Sequence, residues 1–432
     1  MNILMMTNTF TPHVGGVARS IESFTAAYRN LGHQVMVVAP TYEHMPNDEK
    51  NVVRIPAIQR FNGSDFSVIL PLPGFLSDAV DDFHPDLVHV HHPFLIGGTA
   101  LRIVKQQEIP LVFTHHTMYE QYTHYVPGNS KAMQKFVIKL STCYANLCDL
   151  VFAPSDSVAD ILRSRGVETP IEVVPTGVNL ERFSRGNGAG FKAALDIPGD
   201  AFVIGHVGRL APEKNLEFLT MAVAAHLKTD PLSHFLVVGN GPSATILRTI
   251  FSDRNLSDRM HIVTQLDYPL LASAYKAMDV FVFASKSETQ GMVITEAMGA
   301  GVPVIALNAP GVREVVEDFS NGRLLSTETL SDFSAALQSF ARLGPEERDR
   351  YRTAARLTAQ AFSQETIAAR AITLYQGLHN AGFADRQKEY SAWQSVVGMI
   401  KAEWHLMMNF LEAADAALAD DETKSEQTLS GR

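Results

Sequence analysis

Short apolar runs punctuate this chain, and most are separated by stretches of helical length. The runs NILMM (2–6), QVMVVA (34–39), DLVHVHH (86–92), PLVFT (110–114), DLVFA (149–153) and IEVVP (171–175) predict strands. Ala18–Leu31 and Ser130–Leu147 predict helices between them. A strand–helix–strand rhythm of this kind implies a parallel sheet covered by helices. The stretch SRGNGAG (184–190) interrupts the rhythm and reads as a linker. The rhythm then restarts with AFVIGHV (201–207), HFLVVG (234–239), MHIVT (260–264), DVFVFA (279–284) and VPVIAL (302–307). The expectation is an α/β chain of two doubly wound, Rossmann-like domains, residues 1–185 and 191–376, facing across a cleft. Ligands of such sheets bind at the carboxyl ends of the strands.

The pattern changes after residue 376. Trp393, Val397, Ile400, Trp404, Met407 and Leu411 recur at heptad-like spacing, so residues 377–432 read as a helical extension with one apolar face and a disordered tail, DDETKSEQTLSGR. That face suits packing back on the protein, a dimer contact or a membrane contact.

Charge narrows the function classes. The 36 basic residues against 46 acidic ones leave a net charge of −10, which disfavours nucleic acid as a partner. Two cysteines, Cys143 and Cys148, imply no disulfide framework and suit a reducing compartment. No apolar run reaches the roughly 18 residues of a membrane-spanning helix, and the start MNILMMTNTF lacks a basic leader. The expected location is cytoplasmic.

Three stretches carry chemistry. HVGRLAPEKN (206–215) sets Arg209 and Lys214 in a turn just past a strand, where two cations suit a diphosphate. In FLVVGNGPSATILRTI (235–250), Gly239, Gly241 and Ala244 satisfy a dinucleotide-binding pattern, so an NAD-dependent enzyme is an alternative. Pro242 and the position of the motif in its domain weaken it. In SETQGMVITEAMGAGVP (287–303), Glu288 falls in a loop after a strand and Glu296 about two helical turns on. Backbone N–H groups near Gln290, Gly291 and Met292 open the helix and favour an anion. One loop thus offers carboxylates to hydroxyls and N–H groups to a phosphate, as a nucleotide sugar requires. A glycosidase pair is the competing reading, but it leaves Arg209 and Lys214 without a purpose. His89 and His91 in HVHHP, and His115 and His116 in THHT, suggest zinc. No cysteine joins them, and the expectation is no metal.

Taken together, Glu288-x7-Glu296, the loop GRLAPEKN, VVPTGVNLERF (173–183), DVFVFASKSETQGMVITEAMGAGVPVIA (279–306) and an early Gly15-Gly16-Val17 turn resemble the GT-B retaining glycosyltransferases of family 4, over about residues 1–376. The resemblance implies that Arg209 and Lys214 hold the diphosphate of a UDP-sugar. Glu288 would grip the donor sugar and Glu296 the ribose. The Gly15–Gly16 turn would pass close to the phosphate and the acceptor, and His116 would sit beside the reacting sugar. It further implies transfer with retention, no cofactor beyond the donor substrate, and positioning and electrostatics in place of a protein nucleophile.

THHTMYEQYTHYVP (114–127) and Gln290 resemble the diacylglycerol glucosyltransferase subgroup, which implies a lipid acceptor and α-glucose as the sugar. The alternatives are a family-4 enzyme with a water-soluble or other lipid-linked acceptor and a non-catalytic nucleotide-sugar-binding protein. Lys131, Lys135 and Lys139 share one helical face beside apolar residues and suit an anionic membrane surface; a solvated face is the plainer reading. FSVILPLPGFL (66–76) is either core or a lipid-facing loop. Peripheral attachment to the inner face of the cell membrane follows as an expectation. The oligomeric state stays open.

Overall fold

The computed structural model describes residues 1–382 except 14, 44, 47, 59–67, 70–75, 121–129, 265 and 287. The apolar stripe from Trp393 to Leu411, most of the 66–76 patch and residues 121–127 lie outside the described residues.

The first domain contains β1 (Asn2–Met6), β2 (Gln34–Pro40), β3 (Val52–Ile55), β4 (Ala57–Ile58), β5 (Val68–Ile69), β6 (Leu87–Val90), β7 (Leu111–Thr114), β8 (Leu150–Ala153) and β9 (Ile171–Val173). Seven of these strands form one parallel sheet in the order β3-β2-β1-β6-β7-β8-β9, while β4 and β5 pair antiparallel apart from it. Its helices are α1 (Gly16–Asn30), α2 (Ser77–Phe83), α3 (Ile96–Gln107), α4 (Lys131–Ala145) and α5 (Asp156–Ser164). The central strands are buried on both sides, as β1 shows: Leu4 and Met6 join one core and Ile3 and Met5 the other. Side chains alternate across a strand, so an unbroken apolar run is what two covered faces require.

The short helices α6 (Leu180–Ser184) and α7 (Gly188–Ala194) lead into the second domain. Its strands are β10 (Phe202–Val207), β11 (Ser233–Val238), β12 (Met260–Val263), β13 (Val280–Phe283), β14 (Val304–Leu307) and β15 (Gly322–Leu325). They form a parallel sheet in the order β12-β11-β10-β13-β14-β15. The flanking helices are α8 (Leu216–Leu227), α9 (Ala244–Ser252), α10 (Tyr268–Lys276), α11 (Met292–Gly299), α12 (Leu330–Ala341), α13 (Pro345–Ala361) and α14 (Gln364–Ala381). Both sheets reverse direction beside their first strand, between β1 and β6 and between β10 and β13. Those two switch points are where the loops part to leave a crevice.

Two features differ from the sequence reading. The stretch 184–190 is a packed seam: a Cβ on Gly186 would fall 2.4 Å from the Ala272 carbonyl oxygen, and one on Gly188 2.3 Å from that of Lys276. Its glycines permit the backbone to close on α10. The boundary drawn at residue 376 falls inside α14, and this last described helix packs on the first domain, with Ile367, Ala368, Ala371, Ile372 and Tyr375 in the same core as Ile3, Phe24 and Val37. The outward and return crossings between domains touch: Val178 N–H donates to the Phe362 carbonyl at 2.8 Å, and Gln364 N–H to that of Val178 at 2.9 Å.

Candidate active site

The donor-type residues gather at the carboxyl edge of the second sheet. After β10, a tight turn ends in a 3-10 helix, Pro212–Lys214. Gly239 and Gly241 support this turn: a Cβ on Gly241 would fall 2.3 Å from the Leu210 carbonyl oxygen, and one on Gly239 1.9 Å from that of Gly208. The Gly-x-Gly pair therefore lets the two loops touch, and it follows β11, not the first strand of the domain where a dinucleotide fingerprint belongs. Lys214 forms an ion pair with Glu288, both largely buried. Arg209 is about half exposed and pairs with Glu213. Behind them His206 lies in the core between Phe281 and Phe283, and burial holds its imidazole down to about 4.

After β13, Gly291 adopts the left-handed conformation (φ 71°) and caps α11 with no side chain of its own. The α11 N-terminus, at Met292, thus opens beside Glu288, with its first N–H groups unpaired within the helix. Glu296, four residues further, is 4 % exposed. The Tyr275 hydroxyl donates to its Oε2 at 2.8 Å, and Arg19 of α1 stands 3.7 Å from its Oε1. Burial pushes this carboxyl up, and Arg19 and Tyr275 pull it part of the way back. A ribose at Glu296 must share a carboxylate that already has two partners.

The Gln290 side chain has a second task besides the donor contact expected of this loop: it is 5 % exposed, and its amide is engaged by the chain crossing between domains. Thr176 N–H donates to Gln290 Oε1 at 2.6 Å, and Gln290 Nε2 donates to the Thr176 carbonyl at 2.7 Å. The side chain is a two-bond tie from the donor loop to residue 176.

The first domain supplies the opposite wall. Gly15 caps α1, and around Gly16 a Cβ would meet nothing within 4 Å, so the turn leaves open space there. Arg19, one turn into α1, carries this wall to Glu296. His116 follows β7 and is half-buried. Its carbonyl accepts from Thr289 Oγ1, beside Glu288, at 3.1 Å, which ties the His116 backbone to the donor loop. His115 is buried with neither ring nitrogen hydrogen-bonded, and burial holds it down to about 3. Among the described residues no group of three or more His, Cys, Asp or Glu is placed to hold a metal ion.

Lys131, Lys135 and Lys139 lie on α4 of the first domain. All three are exposed, as is Phe136 at 43 %. Ser130 caps the helix by accepting from Met133 N–H at 3.1 Å, and Leu140, Thr142 and Tyr144 anchor its far end in the core. Arg19, Tyr275, Thr176 and Thr289 escaped the sequence reading. No motif marks them, because each acts on a residue remote in sequence.

Two parallel sheets meeting edge to edge, with a cation loop and a carboxylate loop on one side and a glycine turn and a histidine on the other, define the GT-B class of glycosyltransferases. An Anabaena protein crystallised with UDP and glucose has this fold: it superposes with a TM-score of 0.67 at 20% identity, over 88% of this chain and 100% of that one. The model of Glycosyltransferase Family 4 matches residues 14–182, and that of Glycosyl transferases group 1 matches residues 190–358. The chain belongs to glycosyltransferase family 4. It is 29% identical over 336 residues to the alpha-monoglucosyldiacylglycerol synthase of Acholeplasma laidlawii, covering 74% of this chain and 84% of the relative. It is 27% identical over 350 residues to a GDP-mannose-dependent alpha-mannosyltransferase of Corynebacterium glutamicum, covering 79% and 80%.

Proposed function

We propose that this glycosyltransferase moves α-glucose from UDP-glucose to the free hydroxyl of 1,2-diacylglycerol with retention of configuration, at a membrane surface and without a metal. The observation that carries the reading is the Lys214–Glu288 pair at the sheet edge, in a loop tied through Thr289 to His116 of the facing domain. A diphosphate arriving at Arg209 and Lys214 replaces the carboxylates that now neutralise them. Glu288 is thereby freed for sugar hydroxyls, and the leaving diphosphate meets two cations and the α11 N-terminus as its charge develops. His116 then flanks the reacting sugar. The identity to a glucosyldiacylglycerol synthase supports the acceptor, and the exposed Lys131, Phe136, Lys135 and Lys139 face of α4 supports a bilayer contact on the first domain. No described helix is long and apolar enough to cross a membrane, so the contact proposed is peripheral.

The mannosyltransferase relative favours a second reading, GDP-mannose with another acceptor. A screen of UDP-glucose, UDP-galactose, UDP-glucuronate and GDP-mannose against diacylglycerol micelles and soluble acceptors, read by mass spectrometry with and without EDTA, separates the two. The expected product is α-glucosyldiacylglycerol, formed equally with EDTA present. Mannosyl transfer alone, a β-linked product or loss of turnover in EDTA overturns the corresponding part of the reading.

A further inference from the structure

Behind His116 lies a histidine whose role neither a metal site nor core packing explains. His91 follows β6 and is completely buried. Its Nδ1 meets His116 Nε2 at 2.8 Å, and its Nε2 has no hydrogen-bond partner. Its ring lies 4.2 Å, centre to centre, from that of His89. His89 is itself fixed at both nitrogens, by Thr114 Oγ1 at 2.6 Å and the Tyr375 hydroxyl at 2.6 Å, with Tyr375 in turn 3.0 Å from the Tyr28 hydroxyl. The His91 main chain is held as well, its N–H donating to the Met6 carbonyl at 2.9 Å. His91 is therefore held at its main chain and packed against a ring that is itself fixed, with His116 as its one side-chain hydrogen-bond partner.

Burial and the neighbouring imidazoles hold both His91 and His116 well below the usual histidine range, so both rings are neutral and a single proton lies between them. Two arrangements are possible. If His116 carries that proton on Nε2, His91 must carry its own on Nε2, as a buried N–H with no acceptor. If His91 carries it on Nδ1, only a bare ring nitrogen is left unpartnered. A buried orphan N–H is the rarer and more costly of the two. We infer that His91 is a positioning residue that donates from Nδ1 to His116 Nε2 and so fixes His116 as its Nδ1–H tautomer. His116 then presents an N–H to the cleft and not a basic nitrogen. It stabilises oxygen charge on the departing donor instead of taking the acceptor's proton. This rests on the proposal that His116 flanks the reacting sugar.

Nitrogen-15 histidine spectra of the full chain read the tautomer directly, with the His116 signal assigned by its loss in His116→Ala. The wild-type protein should show a protonated Nδ1 and a bare Nε2 at His116. His91→Leu should scramble that pattern and lower kcat about tenfold to a hundredfold with KM for the donor unchanged. His91→Asn keeps an N–H in the same place and should restore both the tautomer and most of kcat. A wild-type His116 protonated at Nε2 overturns the inference, as does a His91→Leu protein with unaltered tautomer and kcat. If His91→Leu fails to fold, the wild-type spectrum and His91→Asn still decide. Full kcat in His116→Ala would instead remove the assumed place of His116 at the sugar, while the spectra continue to judge His91.

Discussion

Glu288 and Lys214 are each other's counter-ion in this protein, while Arg209 pairs with Glu213, so removing a cation and removing the Glu288 charge should act differently on UDP binding. Arg209→Ala removes charge-assisted hydrogen bonds worth about 1.5–3 kcal/mol each. UDP affinity should then fall about tenfold or more by calorimetry. Glu288→Gln leaves Lys214 without its partner, so UDP affinity should be unchanged or tighter while sugar transfer is crippled and any residual product stays α. Equal loss of UDP binding in the two variants would show that Glu288 holds the nucleotide and not the sugar. Both residues were legible in the sequence because a loop after a buried strand exposes its charges at a predictable edge. The tie at Gln290 was not legible: its partner is 114 residues away, and only the folded chain brings the Thr176 backbone to it. Glu296 shows the same limit, since Tyr275 and Arg19 come from two different domains.

Helix α4 shows what periodicity supplies and what it withholds. The four-residue spacing of Lys131, Lys135 and Lys139 placed them on one exposed face, as observed. It gave no sign that Phe136 would stand exposed among them, because an aromatic at helical spacing ordinarily points inward. Basic side chains around an exposed aromatic ring suit an anionic interface better than water alone. Changing the three lysines to Gln should weaken binding to vesicles containing anionic lipid by at most about 3 kcal/mol at low salt, at about 1 kcal/mol each. Flotation of the parent should fade as salt rises. Unchanged flotation of the triple variant would take α4 out of the membrane contact. The packed seam at 184–190 carries the converse lesson: glycine read as looseness in the sequence serves closeness in the fold.

At the scale of the molecule, both sheets follow from the rhythm of apolar runs, while strands β3 and β15 escaped because VVRI and GRLL are too polar to stand out. Buried histidines set the acid limit of the whole. His89, His92 and His115 are held down to about 3 and His206 to about 4, in each case first by burial. Unfolded, such residues titrate near 6.5, so below that pH the unfolded chain binds protons that the native one refuses. Stability is complete above about 6.5 and is lost as pH falls toward 3, at about 1.4 kcal/mol per histidine per unit. Glu296, shifted upward, works against this trend above its ordinary value. Urea midpoints should therefore drop steeply between pH 7 and pH 5.5. A flat profile would mean that these imidazoles are reached by protons in the native state.

Helix α14 returns to the first domain after the whole of the second has intervened, and it brings Tyr375 to His89, in the layer of rings behind His116. The strands of the first domain precede those of the second along the chain, but the last pieces of its core come only after residue 364, behind every described strand of the second. A part of the first domain's core is thus made only after the strands of the second, and a chain cut before residue 364 loses packing in the first domain while keeping the sheet of the second.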